Sequence, residues 1–142
     1  MGPKEQEIFE KLKKILIEAP VLLFSNFDKP FVLCTDASLK GLGAVLEQED
    51  ENKNLRPVAY ASRSLTPAEK NYHTTDLECL AIIWSVKHFH KYLINNPFKI
   101  FTDYSVLKSL QKISELTRKR VRWIIELQQY NYTIEYRSEK KN

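Results

Sequence analysis

"VLCTDAS", residues 32–38, ends an apolar run on an aspartate. With Phe31 before it, the run is apolar on both faces of any strand it forms, which places that strand centrally in a sheet covered on both sides. Asp36 then emerges at the strand's end. A buried charge is costly unless something pairs with it, so its placement asks for a reason. "KIFTDYS", residues 99–105, repeats the grammar, with Asp103 following a short apolar strand and a threonine. Two strands that both end in Thr-Asp point to one shared site.

Outward from the first strand, "GAVLEQ" (43–48) follows Gly41 and opens on Gly43, and "PVAYASRS" (57–64) follows the polar hairpin "EDENKN" (49–54). These read as three consecutive antiparallel strands. Thr66-Pro67-Ala68-Glu69 carries a helix start with proline at the first helical position, and Thr75-Asp76-Leu77-Glu78 a second capping pattern. The second helix is predicted to run to about Leu93. It is apolar nearly all round through Leu77, Leu80, Ala81, Ile82, Ile83, Trp84 and Val86, and is therefore a buried central helix.

A strand from Phe98 to Thr102 follows, reached by a helical crossover and therefore parallel to the strand it joins. "SVLKSL" (105–110) and "ELTRKRVRWIIELQQY" (115–130) read as helices, the latter with Val121, Ile124, Ile125 and Leu127 as its apolar face, and "YTIEYR" (132–137) alternates as an outer strand. The order β-β-β-α-β-α-α-β predicts an α/β architecture, a five-stranded mixed sheet with helices on both faces. Residues 4–18, with Ile8, Phe9, Leu12, Ile15 and Leu16 at helical spacing, form an appended amphipathic helix, so residues 1–28 are read as helix and linker and 29–142 as the main domain.

The 142 residues are one ordinary domain's length, and 43% hydrophobic with 28% charged residues excludes a disordered chain. Cys34 and Cys79 lie in apolar stretches and are read as reduced core residues of an intracellular protein. No run of about 18 apolar residues is present, so no membrane partner is expected. The net charge of +4 permits an anionic partner. The basic residues fall in three clusters, Lys11 to Lys14, Lys87 to Lys91, and Arg118, Lys119, Arg120 and Arg122. The last of these is a candidate for tracking phosphates.

Glu78, in the first turn of the central helix, joins Asp36 and Asp103 if the two strands are neighbours and the helix packs across their ends. Three carboxylates together repel unless a cation neutralises them. Oxygen-only ligands select a hard ion, Mg²⁺ or Mn²⁺, and suit two-metal hydrolysis of a phosphodiester. Simpler roles compete: Glu78 fits a capping box with Thr75, and strand-terminal aspartates often begin turns.

The stretches "FVLCTDASLKGLGAVLEQ", "RPVAYASRSLTPAEKNY", "TTDLECLAIIWSVKHFHKYL", "FKIFTDYSVLKSL" and "RVRWIIELQQYNYTIEYR" resemble, in order, the RNase H domain of reverse transcriptases from gypsy-type LTR retrotransposons. The resemblance implies an RNase H-like fold and cleavage of the RNA strand of RNA:DNA hybrids. It makes Asp36, Glu78 and Asp103 the first three catalytic and metal-binding carboxylates, with two Mg²⁺ or Mn²⁺ ions in the complete site. The polymerase domain of the same reverse transcriptase is the partner in cis, and the opening helix looks like the end of the segment connecting to it. The setting implied is a cytoplasmic virus-like particle, or the nucleus.

Ser38, Arg63 and Tyr72 are candidate substrate contacts, although Ser38 also fits a turn and Tyr72 a core position. The family's usual histidine after the third aspartate is here Tyr104. The family's fourth carboxylate, in an Ala-Asp-Ala motif, is expected beyond Asn142, so the RNase H domain is expected to be C-terminally truncated. A noncatalytic module that keeps the fold for hybrid binding or packing is the alternative. An integrase-like transferase on the same architecture is disfavoured, because its glutamate would follow the second aspartate, whereas Glu78 precedes Asp103.

Overall fold

The computed structural model describes residues 29–102, 106 and 118–136. The expected N-terminal helix, Asp103, Tyr104 and nearly all of residues 105–117 lie outside them. Five strands form one sheet: β1 (Phe31–Ala37), β2 (Gly41–Glu49), β3 (Leu55–Ser64), β4 (Phe98–Thr102) and β5 (Tyr132–Tyr136), in the order β3-β2-β1-β4-β5. β1 pairs antiparallel with β2 and parallel with β4, and β4 pairs parallel with β5. The strand apolar on both faces is therefore central and the crossover strand parallel, as the pattern predicts.

The sequence places its irregularities where the sheet tolerates them. Pro57 cannot donate to a ladder and sits in β3, an edge strand. The register slips beside it, from Leu46↔Ala59 to Glu47↔Pro57, and Val58 in the bulge is buried. At the β2–β3 hairpin Asp50 Oδ1 accepts from the amides of Asn52 and Asn54, and Lys53 turns through φ 64°.

Alternation along β1 turns Phe31 and Leu33, both fully buried, toward the helices, together with Leu46 of β2 and Phe98 and Ile100 of β4. Over this face lie α1 (Thr74–His88), α2 (His90–Leu93) and α3 (Arg118–Leu127). α1 buries Leu77, Cys79, Ala81, Ile82, Ile83, Ser85 and Val86, as expected of a central helix. A helix on the second face is not among the described residues. Both cysteines are free.

Three local expectations are corrected. The helix predicted to reach Leu93 breaks at Phe89 (φ −96°, ψ 24°) and restarts as α2. Buried Phe89 and the His90 Nδ1 to Tyr130 hydroxyl contact of 2.6 Å accompany the offset. The Thr75–Glu78 capping box does not form, because α1 starts two residues earlier with His73 as N-cap and no side-chain cap bond. On α3 the buried side is Trp123 and Leu127, while Val121 and Ile125 are exposed. Residues 120, 123 and 127 share one helical face, and the indole, the largest apolar group on α3, turns that face to the core.

Candidate active site

Asp36 is the last residue but one of β1, half-buried and opposite Gly43 of β2. Ladder pairs on both of its sides fix its backbone, and its Oδ2 atom is withdrawn from solvent. Glu78, also half-buried, is the fifth residue of α1. With the capping box absent, capping does not account for a glutamate there.

A small apolar cluster brings the two segments together. Leu42, Leu65, Leu77 and Ala81 are buried in it, with Ala37, Tyr72, Leu80 and Trp84 packed against them. Ala37 adjoins Asp36 and Leu77 adjoins Glu78, so the cluster fastens the strand end carrying one carboxylate to the helical turn carrying the other. β4, the strand leading to Asp103, lies beside β1 with Cys34 opposite Phe101. Asp103 itself is outside the described residues. Among the described residues no group of three or more His, Cys, Asp or Glu side chains is placed to hold a metal ion. A donor set made only of carboxylates nonetheless has the chemistry that a hard divalent cation takes.

The three candidate substrate contacts have structural duties. Ser38 Oγ accepts from the amides of Lys40 (3.1 Å) and Gly41 (3.3 Å), closing the β1–β2 turn. Arg63 binds Glu69 with both terminal nitrogens (2.7 and 2.9 Å) and lies over the Trp84 ring. Glu69 completes a reciprocal capping box with Thr66 around the short 3₁₀ turn Glu69–Asn71. The Arg63 guanidinium is the main cause of the drop in the Glu69 pKa from 4.5 to about 2. Tyr72 packs into both apolar clusters, with the Lys119 ammonium 3.4 Å from its ring centroid.

The basic group on α3 divides. Lys119 and Arg120 turn inward to Asp76, at 3.7 and 2.7 Å, while Arg118 and Arg122 remain exposed. This inward pairing was not anticipated, and its only sequence signal is an acid in the first turn of a helix that is otherwise buried. No described helix is long and apolar enough to cross a membrane.

The family described as the RNase H-like domain found in reverse transcriptase matches residues 26–130. The retrovirus-related Pol polyprotein from transposon 297 of Drosophila melanogaster is 41% identical over 136 residues, 96% of this chain and 12% of that protein. The transposon Tf2-3 polyprotein of Schizosaccharomyces pombe is 39% identical over 144 residues, 99% of this chain and 11% of that protein. The chain thus spans only a small part of the curated relatives it matches. Among solved structures, a foamy viral protease-reverse transcriptase in complex with RNA/DNA hybrid superposes with a TM-score of 0.63 at 16% identity, covering 98% of this chain and 19% of that one. RNase H1 from Halobacterium salinarum superposes at 0.56 and 14% identity, covering 78% of this chain and 87% of that one. At these identities the structures show the fold.

Proposed function

Because the chain belongs to the family of RNase H-like domains found in reverse transcriptase, we propose that it hydrolyses the RNA strand of RNA:DNA hybrids within a retrotransposon Pol polyprotein, beside a polymerase domain of the same chain. The observation that carries this reading is the fastening of the Asp36 strand end to the Glu78 turn through Ala37, Leu42 and Leu77.

Asp36, Glu78 and Asp103 are the residues that would hold Mg²⁺ or Mn²⁺. Two such ions, when bound, neutralise the carboxylates, lower the pKa of the attacking water and stabilise charge on the leaving oxygen. The chain itself supplies placement. The β-ladder fixes Asp36, the first turns of α1 carry Glu78, and the turn closed by Ser38 ties β1 to β2 just after Asp36. RNA is told from DNA by its 2′-hydroxyls in a wide, shallow minor groove. Exposed Arg118 and Arg122 are free to meet phosphates.

The test is a time course on a labelled RNA:DNA hybrid with the full-length protein that carries this chain. Asp36→Asn and Glu78→Gln should each abolish cleavage while hybrid affinity stays within about twofold, since the reacting groups add little to ground-state binding. Tight hybrid binding without cleavage by the unaltered protein would favour the noncatalytic module instead.

A further inference from the structure

We propose that Asp76, gripped by Arg120 and Lys119, is a positioning residue that fixes the first turns of α1 and so aims Glu78; the inference rests on the hybrid-cleaving reading. Asp76 is 6% exposed. Its Oδ1 accepts from Arg120 Nε at 2.7 Å, and its Oδ2 stands 3.7 Å from Lys119 Nζ. The Arg120 side chain is itself only 11% exposed. Burying such charges opposes folding unless the geometry is close to ideal, and an apolar pair of similar volume would often serve stability as well. An apolar pair has no direction, however, and an ion pair does.

Two further observations show why direction is needed here. First, α1 lacks the usual fastening at its start, because its N-cap His73 makes no side-chain cap bond. Second, α1 and α3 are not in contact along the whole of their length. A cavity of about 470 Å³ opens between them, lined by residues that include Leu80, Trp84, Arg122 and Trp123. Ion pairs stand at both ends of this gap, buried Asp76–Arg120 at one and the more exposed Lys87–Glu126 (2.9 Å) at the other. Apolar contact between the helices is reduced along this stretch, so the ion pairs carry more of their registration. The pair at Asp76, two residues before Glu78, is the one that fixes the registration at the site. Lys119 extends the grip through the Tyr72 ring to the segment entering α1.

The experiment compares Asp76→Asn and the apolar double variant Asp76→Leu/Arg120→Met with the unaltered full-length protein. It reads hydrogen exchange at the amides of residues 77–80 and 83–86, the thermal midpoint, and kcat and KM on the hybrid. Exchange protection at 77–80 should fall about tenfold in both variants while 83–86 keep theirs. The double variant, freed of buried charge, should recover the thermal midpoint but not the rate. Its kcat should stay about a hundredfold low with KM nearly unchanged, as for a misplaced reacting group. Native protection and native kcat in a stable double variant would overturn the clamp. If the unaltered protein does not cleave, the hybrid-cleaving reading fails by itself, and the exchange result alone decides whether Asp76 holds the turn.

Discussion

Gly41 lies so close beneath Arg63 that a Cβ on the glycine would stand 2.6 Å from the arginine's carbonyl oxygen. The approach joins the start of β2 to the end of β3 at the edge of the turn that Ser38 closes. The obstacle is backbone, which cannot swing aside as a side chain can. Gly41→Ala should therefore destabilise the protein by about 1–3 kcal/mol, the usual cost of overpacking. Denaturant unfolding checks this, and an unchanged midpoint would mean that the two strands separate freely at this edge.

The Arg63–Glu69 pair makes a pH prediction. Glu69 titrates at about 2 in the folded protein against an ordinary 4.5. A carboxyl with a depressed folded pKa contributes stability that is complete above the unfolded value and is lost as the pH falls through the folded one. Thermal midpoints measured from pH 5 down to pH 2 should therefore fall more steeply in the unaltered protein than in Glu69→Gln, with the two curves parallel at higher pH. Parallel curves throughout would show that the pair contributes nothing to folding.

What the sequence disclosed follows the range of the interactions involved. β1 was legible as central because four apolar residues in a row leave it no solvent face, and β4 as parallel because a helix must carry the chain back across the sheet. Asp36 and Glu78 were legible because they interrupt such patterns. The break at Phe89 was not, since neither proline nor glycine marks it. The rotation of α3 was not, because Val121 and Ile125 satisfy an apolar count as well as Trp123 and Leu127 do. Nor was the role of Arg120, whose partner Asp76 lies 44 residues away. A basic run looks the same whether its members face water or a buried carboxylate.

That division of the basic run separates the arginines by experiment. Exposed Arg122 has no ion-pair partner among the described residues, whereas Arg120 is committed to Asp76. If Arg122 meets a phosphate, Arg122→Ala should weaken hybrid binding uniformly across sequences and reduce the slope of log K against log salt by about 1. Its thermal midpoint should not move. Binding titrations at several salt concentrations check this, and an unchanged slope would place Arg122 off the nucleic-acid track.

The carboxylates make the sharpest prediction, because it turns on the sign of a stability change. Asp36 and Glu78 sit at ends of elements that one apolar cluster holds together, and with Asp103 they would form a concentration of negative charge that opposes folding when no cation is present. In chelator, Asp36→Asn should therefore be at least as stable as the unaltered protein, although it loses a charged group at the end of the central strand. Added Mg²⁺ or Mn²⁺ should reverse the order. An ion that binds only the folded state stabilises it by about 1.4 kcal/mol at ten times its dissociation constant, and the variant should lose most of that gain. Glu78→Gln should behave in the same way, because glutamine keeps the size and shape of the side chain and removes only its charge. Calorimetric unfolding with and without metal checks both variants. Destabilisation in chelator, with no response to metal in either form, would mean that these carboxylates serve the fold alone.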